Sequence, residues 1–240
     1  MIVIVTDSTA CLNRQEAERL GVTHVPMTYT LDGVTHREHF VEENGDYIAR
    51  IEGAKTFATS QPPIDAYLKT FAELRQAGHQ VLCLSISSRL SGTYANEVVC
   101  AREVGSEDIR VVDTLTTAGG LYIMVRAARQ FLDAGYSLSE TAEKLEQMRG
   151  KVKTLFSVGD MEPLRRSGRL GPVRQSVCTV LNVRPLLTCR EGAVMACGLV
   201  RGKSEQIRAL AQAVPTGAPL ASRTNRQRAK NSASFAAYTF

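Results

Sequence analysis

The sequence predicts an α/β protein: an N-terminal domain built on a parallel sheet, then a smaller C-terminal α/β domain. Short apolar runs such as "MIVIVTD" and "QVLCLSIS" lack the polar alternation of a half-solvated strand, which is the pattern of strands covered on both faces. Stretches of helical spacing lie between them, and alternating strand and helix signals imply parallel strands joined by right-handed crossovers. Near residue 154 the texture changes, and arginines and turn residues replace the regular alternation.

Each element has its own signal. "MIVIVTD" is an apolar, β-branched strand ending at Asp7, and "RQEAERLG" (14–21) a short helix closed by Gly21. "VTHVPMTYTLDG" (22–33) reads as extended chain turning at Asp32-Gly33. In "IDAYLKTFAELRQAG" (64–78), Ile64, Tyr67, Leu68, Phe71 and Leu74 recur at helical spacing before Gly78. "QVLCLSIS" (80–87) is a strand, "TYANEVVCAREVG" (93–105) a helix and "DIRVVD" (108–113) the next strand. Two helices follow, over 117–135 and 137–152, the second with Ser137 or Ser139 as N-cap. Beyond 154 come a strand, a short arginine-rich helix with a Gly-Pro stop, and a hairpin (183–202) around Glu191-Gly192. The expected divisions are 1–153, 154–215, and a weakly structured tail over 216–240, which has no apolar period.

Charge and composition exclude several classes. Of a net charge of +5, the tail supplies four through Arg223, Arg226, Arg228 and Lys230. The body is therefore near neutral, and a nucleic-acid face is not expected. No apolar stretch approaches the roughly 20 residues that span a bilayer, and the N-terminus reads as a strand rather than a signal peptide. Six cysteines without a CxxC pair read as reduced structural thiols of a cytoplasmic protein. The four histidines (His24, His36, His39, His79) all fall in the first third, and no metal set is expected from them. GxGxxG, P-loop, HExxH and GxSxG motifs are missing.

What stands out is hydroxyl clustering. "TDST" (6–9), "ATSQPP" (58–63), "SISSRLSGT" (85–93) and "DTLTTAGG" (113–120) each fall where a strand leads into a helix. Such loops gather on the carboxyl edge of a parallel sheet, and helix N-termini there favour anions. The clusters also have plain explanations, Ser91 or Thr93 as an N-cap, Asp7 as a cap or strand-end residue, and "TAGG" as tight helix–strand packing, so the residues alone stop at an anion-binding cleft. Nucleophile–base pairing is not evident.

Taken in order, "IVIVTDSTACL", "TSQPP" (59–63), "SISSRLSGTYANE" (85–97), "VVDTLTTAGG" (111–120), "DMEPLRRSGRLGP" (160–172) and the "RPLL" hairpin resemble DegV-family proteins, over residue 1 to about 210. The resemblance implies two α/β domains with a long-chain, palmitate-like fatty acid between them, and a carrier rather than an enzyme, without cofactor or metal. It implies that Thr59 and Ser91 hold the carboxylate, helped by Ser60, Gly92 and Thr93. It implies also that Arg169 and Arg201, and secondarily Arg165 and Arg166, face a fatty acid kinase. Two departures stand out. Pro63 replaces a serine of the family motif, and the family's closing stretch, with a histidine of the carboxylate site, has no counterpart after His79. A truncated or altered C-terminal domain is therefore expected. Two other readings stay open: a phosphoryl- or acyl-transfer enzyme using the same loops, and a defective paralogue that has lost its ligand.

Overall fold

The structure, a computed structural model, describes all residues except 44, 159–160, 162–163, 165–166, 171–182, 215–219, 225–233 and 240. In chain order the elements are β1 (Ile2–Asp7), α1 (Arg14–Leu20), β2 (Val22–Val25), β3 (Thr28–Leu31), β4 (Val34–Arg37), α2 (Tyr47–Gly53), β5 (Phe57–Ser60), α3 (Ile64–Gln76), β6 (Gln80–Ser85), α4 (Thr93–Val104) and β7 (Ile109–Asp113). There follow α5 (Gly119–Asp133), α6 (Leu138–Arg149), β8 (Val152–Ser157), β9 (Val183–Arg190), β10 (Ala193–Arg201), α7 (Gly202–Gln212), β11 (Leu220–Thr224) and β12 (Ser234–Thr239).

The expected parallel sheet is present, in the order β2-β1-β6-β7. Its strands are apolar throughout because both faces are covered. On β1, Ile4 packs with α1, α5 and α6, while its neighbour Val5 packs with Tyr67 and Phe71 of α3 and Cys100 of α4. Local sequence closes the covering helices. Asn13 and Glu16 form a reciprocal capping box at α1, and Ser137 and Glu140 form one at α6. Ser137, not Ser139, is thus the cap. The strand order reverses between β1 and β6, the crevice where open α/β sheets take their ligands.

Two further sheets complete the fold. β4-β3-β5 is antiparallel, its first hairpin turning at Asp32 (φ 47°) and Gly33 (φ 85°) as a two-residue turn requires. The five-stranded sheet runs β10-β9-β8-β12-β11, with antiparallel pairs throughout and the expected hairpin around Glu191-Gly192. The arginine-rich segment before it lies largely outside the described residues, as does Cys178.

Within the tail from residue 216, expected to be weakly structured, the described residues 220–224 and 234–239 form β11 and β12, and β12 pairs with β8 from Ser234↔Ser157 to Thr239↔Val152. Strand propensity depends on the available neighbour more than on intrinsic preference. A segment without a strand signal can still be drawn into backbone pairing by an open edge.

Candidate functional site

The loop between β6 and α4 sits at the crevice and sends its hydroxyls to different tasks. Ser85, fully buried, turns inward toward Glu97. Ser87 donates to the Gly192 carbonyl at 2.8 Å, which ties the β9–β10 hairpin onto the loop. The Ser87 N–H donates to Thr116 at 2.9 Å, and the Ser88 N–H to Asp113 Oδ1 at 3.1 Å, so the loop after β7 braces it from the other side. Ile86 and Leu90 pack with Phe156, Met161, Leu187 and Val194 of the five-stranded sheet region. These serines tie the loop to its neighbours and do not cap α4.

Ser91, Gly92 and Thr93 differ. The hydroxyls of Ser91 and Thr93 lie 2.8 Å apart, and the Thr93 N–H donates to Ser91 Oγ at 3.3 Å. Gly92, the N-cap of α4, provides no side-chain cap, and the first helical bond runs from the Asn96 N–H to Gly92 O at 3.2 Å. This helix end has a glycine as N-cap and two hydroxyls beside it, one of which accepts its first N–H. Among the described residues it is the part of the loop best suited to receive an anion.

Thr59 and Ser60 arrive from elsewhere. They lie not in a loop of the parallel sheet but in β5, at the edge of the antiparallel β4-β3-β5 sheet, with Thr59 opposite Tyr29 and Ser60 opposite Thr28. Both are exposed. No hydrogen bond joins Thr59 to Ser91 among the described residues. The two segments meet instead through Gln61: its Oε1 lies 2.5 Å from where a Cβ on Gly92 would stand. Sequence reading did not single out Gln61, although it sits inside the quoted "TSQPP". Only the approach of two sheets reveals the contact.

Behind α4 lies a buried acidic pair, also unremarked in the sequence. Asp7 and Glu97 are both fully buried. Asp7 accepts from the Thr9 N–H at 2.8 Å, the Thr9 hydroxyl at 2.5 Å and the Ile86 N–H at 3.2 Å. Burial raises its carboxyl even so. Glu97 has neither oxygen in a well-formed hydrogen bond. Ser85, Tyr67 and Cys83 stand close enough to favour its charge, yet burial and the nearby Asp7 push it up to about 8. Hydrogen bonds from Thr9 and Ile86 favour the charged form of Asp7, whereas neither Glu97 oxygen has a bond of that quality. Burial raises the Cys83 thiol well above its ordinary value and also raises Cys100, as befits inert core residues. No disulfide joins the five described cysteines.

The basic residues are placed as follows. Arg169 donates from Nε to the Leu90 carbonyl at 3.2 Å and from Nη1 to the Ser167 carbonyl at 2.6 Å, so it clamps the site loop while remaining exposed. Arg201 is exposed and leads into α7, its N–H donating to Glu205 Oε2 at 2.6 Å. Arg165 and Arg166 lie outside the described residues. The strand-end carboxylates that could have held a metal are engaged: Asp113 Oδ1 accepts from the Ser88 and Leu115 N–H groups, each at 3.1 Å. Among the described residues no group of three His, Cys, Asp or Glu is arranged to hold a metal ion, and no helix is long and apolar enough to cross a membrane.

Comparison with known proteins places this geometry in a family. The model described as "Uncharacterised protein, DegV family" matches residues 1–231, past the point near 210 where the motif resemblance stops. A DegV domain-containing protein of Deinococcus radiodurans is 33% identical over 214 residues, covering 89% of this chain and 76% of its own. The DegV domain-containing protein YteA of Lactococcus lactis is 33% identical over 214 residues, with coverage of 86% and 74%. Among solved structures, a fatty-acid-binding DegV family protein from Thermus thermophilus is 29% identical with a TM-score of 0.82, over 100% of this chain and 99% of that one. A DegV lipid-binding protein from Thermotoga maritima, at 24% identity and a TM-score of 0.85, covers 100% of this chain and 98% of its own and shares the fold.

Proposed function

The chain belongs to the DegV family, and on that premise we propose that it binds one long-chain fatty acid between an N-terminal lobe (1–153) and a C-terminal one beginning at residue 154. The observation that carries this reading is the first turn of α4, which has Gly92 as its N-cap and is flanked by the Ser91 and Thr93 hydroxyls. Support comes from the Thermus thermophilus relative, described as binding fatty acid. Thr59 and Ser60 on β5 complete the ring of uncharged donors around the carboxylate, and Gly92 contributes its backbone.

The energetics of such a site are asymmetric. A chain of about 14 methylenes leaving water contributes on the order of 11 kcal/mol gross, at roughly 0.8 kcal/mol each. Association and ordering of the chain take back much of it. The carboxylate opposes burial unless it is hydrogen-bonded. Hydroxyls and N–H groups satisfy it without an ion pair, so the tail supplies affinity and the head group sets register. That balance suits a carrier that gives up its ligand rather than an enzyme that transforms it. Arg169 and Arg201, both exposed, suit the face offered to a fatty acid kinase, and the cytoplasm is the compartment where such a handover would occur.

Denaturing mass spectrometry of the purified protein should release acyl chains, and added palmitate should raise the melting midpoint. Ser91→Ala should weaken palmitate binding about tenfold with little change in stability, the loss expected for one hydrogen bond to a charged acceptor. Failure to release or take up any acyl chain, with a flat melting response, would sink the proposal. A midpoint raised by Mg²⁺ and nucleotide instead would favour the phosphoryl-transfer reading.

A further inference from the structure

Ser87 belongs to the hydroxyl cluster of the site loop, yet its hydroxyl serves the C-terminal lobe. Fully buried, it donates to the Gly192 carbonyl at 2.8 Å, a partner 105 residues away in the chain. Beside it, Arg89 Nη1 donates to the Glu191 carbonyl at 3.3 Å. Glu191 and Gly192 form the tip of the β9–β10 hairpin, with φ of 48° and 82°, as a two-residue turn requires. The tip is wedged between the loops that follow β6 and β7. An added Cβ at Gly192 would stand 2.4 Å from Ser87 Oγ, 3.0 Å from Leu115 Cδ2 and 3.4 Å from Arg89 Cδ. Glycine is therefore needed there twice, for its backbone angle and for the close approach. Ser87 also reaches the proposed head-group site through its main chain, because its carbonyl accepts from the Leu90 N–H at 2.9 Å and the Ser91 N–H at 3.1 Å. One residue thus grips the hairpin with its side chain and places Ser91 with its backbone.

We propose that the 191–192 hairpin tip is a latch, with Ser87 as its catch, and that its opening gates entry and release of the acyl chain held between the lobes. The inference rests on the fatty-acid reading above and deepens it. A ligand enclosed between two lobes exchanges only when they part. They are joined firmly on one side, where α5 lies against β8, β11 and β12 and the chain crosses from α6 to β8 between Arg149 and Val152. That side is the hinge. At the other, the hairpin tip is held by two hydrogen bonds and a close contact, so it is the part that can let go. Ile86 and Leu90 also pack with Leu187 and Val194 of the hairpin, but apolar contact is non-directional, whereas the buried bond at the tip holds a single register. Because the Ser87 carbonyl holds the Ser91 N–H, catch and head-group site move as one loop.

The test measures exchange rates with cis-parinaric acid, a fluorescent fatty acid, on the full chain. Loading is followed on mixing with empty protein, and release on chasing with excess palmitate. Ser87→Ala should speed loading and release together by about 2–10-fold, the range for one lost hydrogen bond, and leave the equilibrium affinity within about twofold. Gly192→Ala should speed both at least as much, because the added Cβ props the tip away from Ser87 and Leu115. The double variant should be no faster than the faster single one, the signature of a shared contact. If Gly192→Ala does not fold, Ser87→Ala decides alone. Rates equal to wild type in the folded variants overturn the latch. Faster release with unchanged loading overturns it too, since that marks weakened binding rather than a freed gate. A wild type that takes up neither fatty acid overturns the fatty-acid reading itself.

Discussion

Glu97 faces Asp7 of β1, Tyr67 of α3, Cys83 and Ser85 of β6 and Cys100 of its own helix, with no basic group among them. Its carboxyl, pushed up to about 8 by burial and the nearby Asp7, links stability to pH. Below the ordinary carboxyl value near 4.5 both folded and unfolded chains keep the proton, and this group adds no slope. Between 4.5 and about 8 the unfolded chain has released its proton while the folded one retains it, so stability falls as pH rises. Above about 8 the loss is complete. The limiting slope for one proton is about 1.4 kcal/mol per pH unit. Glu97→Gln should therefore flatten the fall in melting midpoint across this window and leave the protein more stable at pH 8 than wild type. Asp7, also raised, contributes a slope of the same sign, so the decline should shrink rather than vanish. An unaltered pH profile in the variant would show that Glu97 finds a way to ionise in place. Nothing in "TYANEVV" marks Glu97 as buried, because a helix period shows which face a residue takes and not how deep that face sits. The hydroxyls of Ser91 and Thr93, by contrast, were legible as a helix-start signal, and the structure puts them there.

At the level of elements, the turn into α5 contains two neighbours under opposite constraints. Ala118 adopts φ 50° and ψ −126°, outside the comfortable range of a residue with a Cβ. Gly120 has no room at all: an added Cβ would lie 2.2 Å from Thr116 Oγ1 and 2.4 Å from Thr154 Oγ1, two hydroxyls that bond each other at 2.9 Å. Ala118→Gly should raise stability by about 1 kcal/mol through relief of backbone strain. Gly120→Ala should lower it by about 1–3 kcal/mol, because short, buried threonines cannot swing clear. Chemical denaturation of the two variants checks both, and a like effect from each would refute this account of the turn. The pair "GG" was readable in the sequence as tight packing, but which strand it packs on was not. Similarly, α1 and α3 to α6 were legible from their period and closing residues. The short strands β4 and β5 and the helix α2 were not, since "VTHR" and "FATS" are exposed along most of their length and carry little hydrophobic pattern. Thr59 and Ser60 consequently looked like loop residues of the parallel sheet and turned out to be strand residues of another.

At the scale of the molecule, the five-stranded sheet depends on a segment that its own sequence does not advertise. β8 pairs with β9 through Leu155 and Phe156 only, whereas β12 pairs with it along its whole length. Deleting residues from Leu220 onward should leave β8 with a bare edge, speed hydrogen exchange at its amides and promote association through that edge. Unchanged protection along β8 would mean that β12 is not its partner in solution. The hairpin turn at Gly192 anchors the same sheet to the site loop through Ser87, so a disturbance in one region has a direct route to the other.

By itself the sequence determined the parallel sheet, its covering helices, the hairpin near the C-terminal end and the family. These follow from local apolar period, turn chemistry and short contiguous motifs, all of which are properties of neighbouring residues. Only the tertiary structure decided that Gln61 rests on Gly92, that Glu97 lies beside Asp7, that Ser87 ties the loop to the hairpin while Ser91 stays at the start of α4, and that the tail joins a sheet. Each of these is a meeting of segments distant along the chain, and such meetings are set by how whole layers pack, which no local pattern encodes.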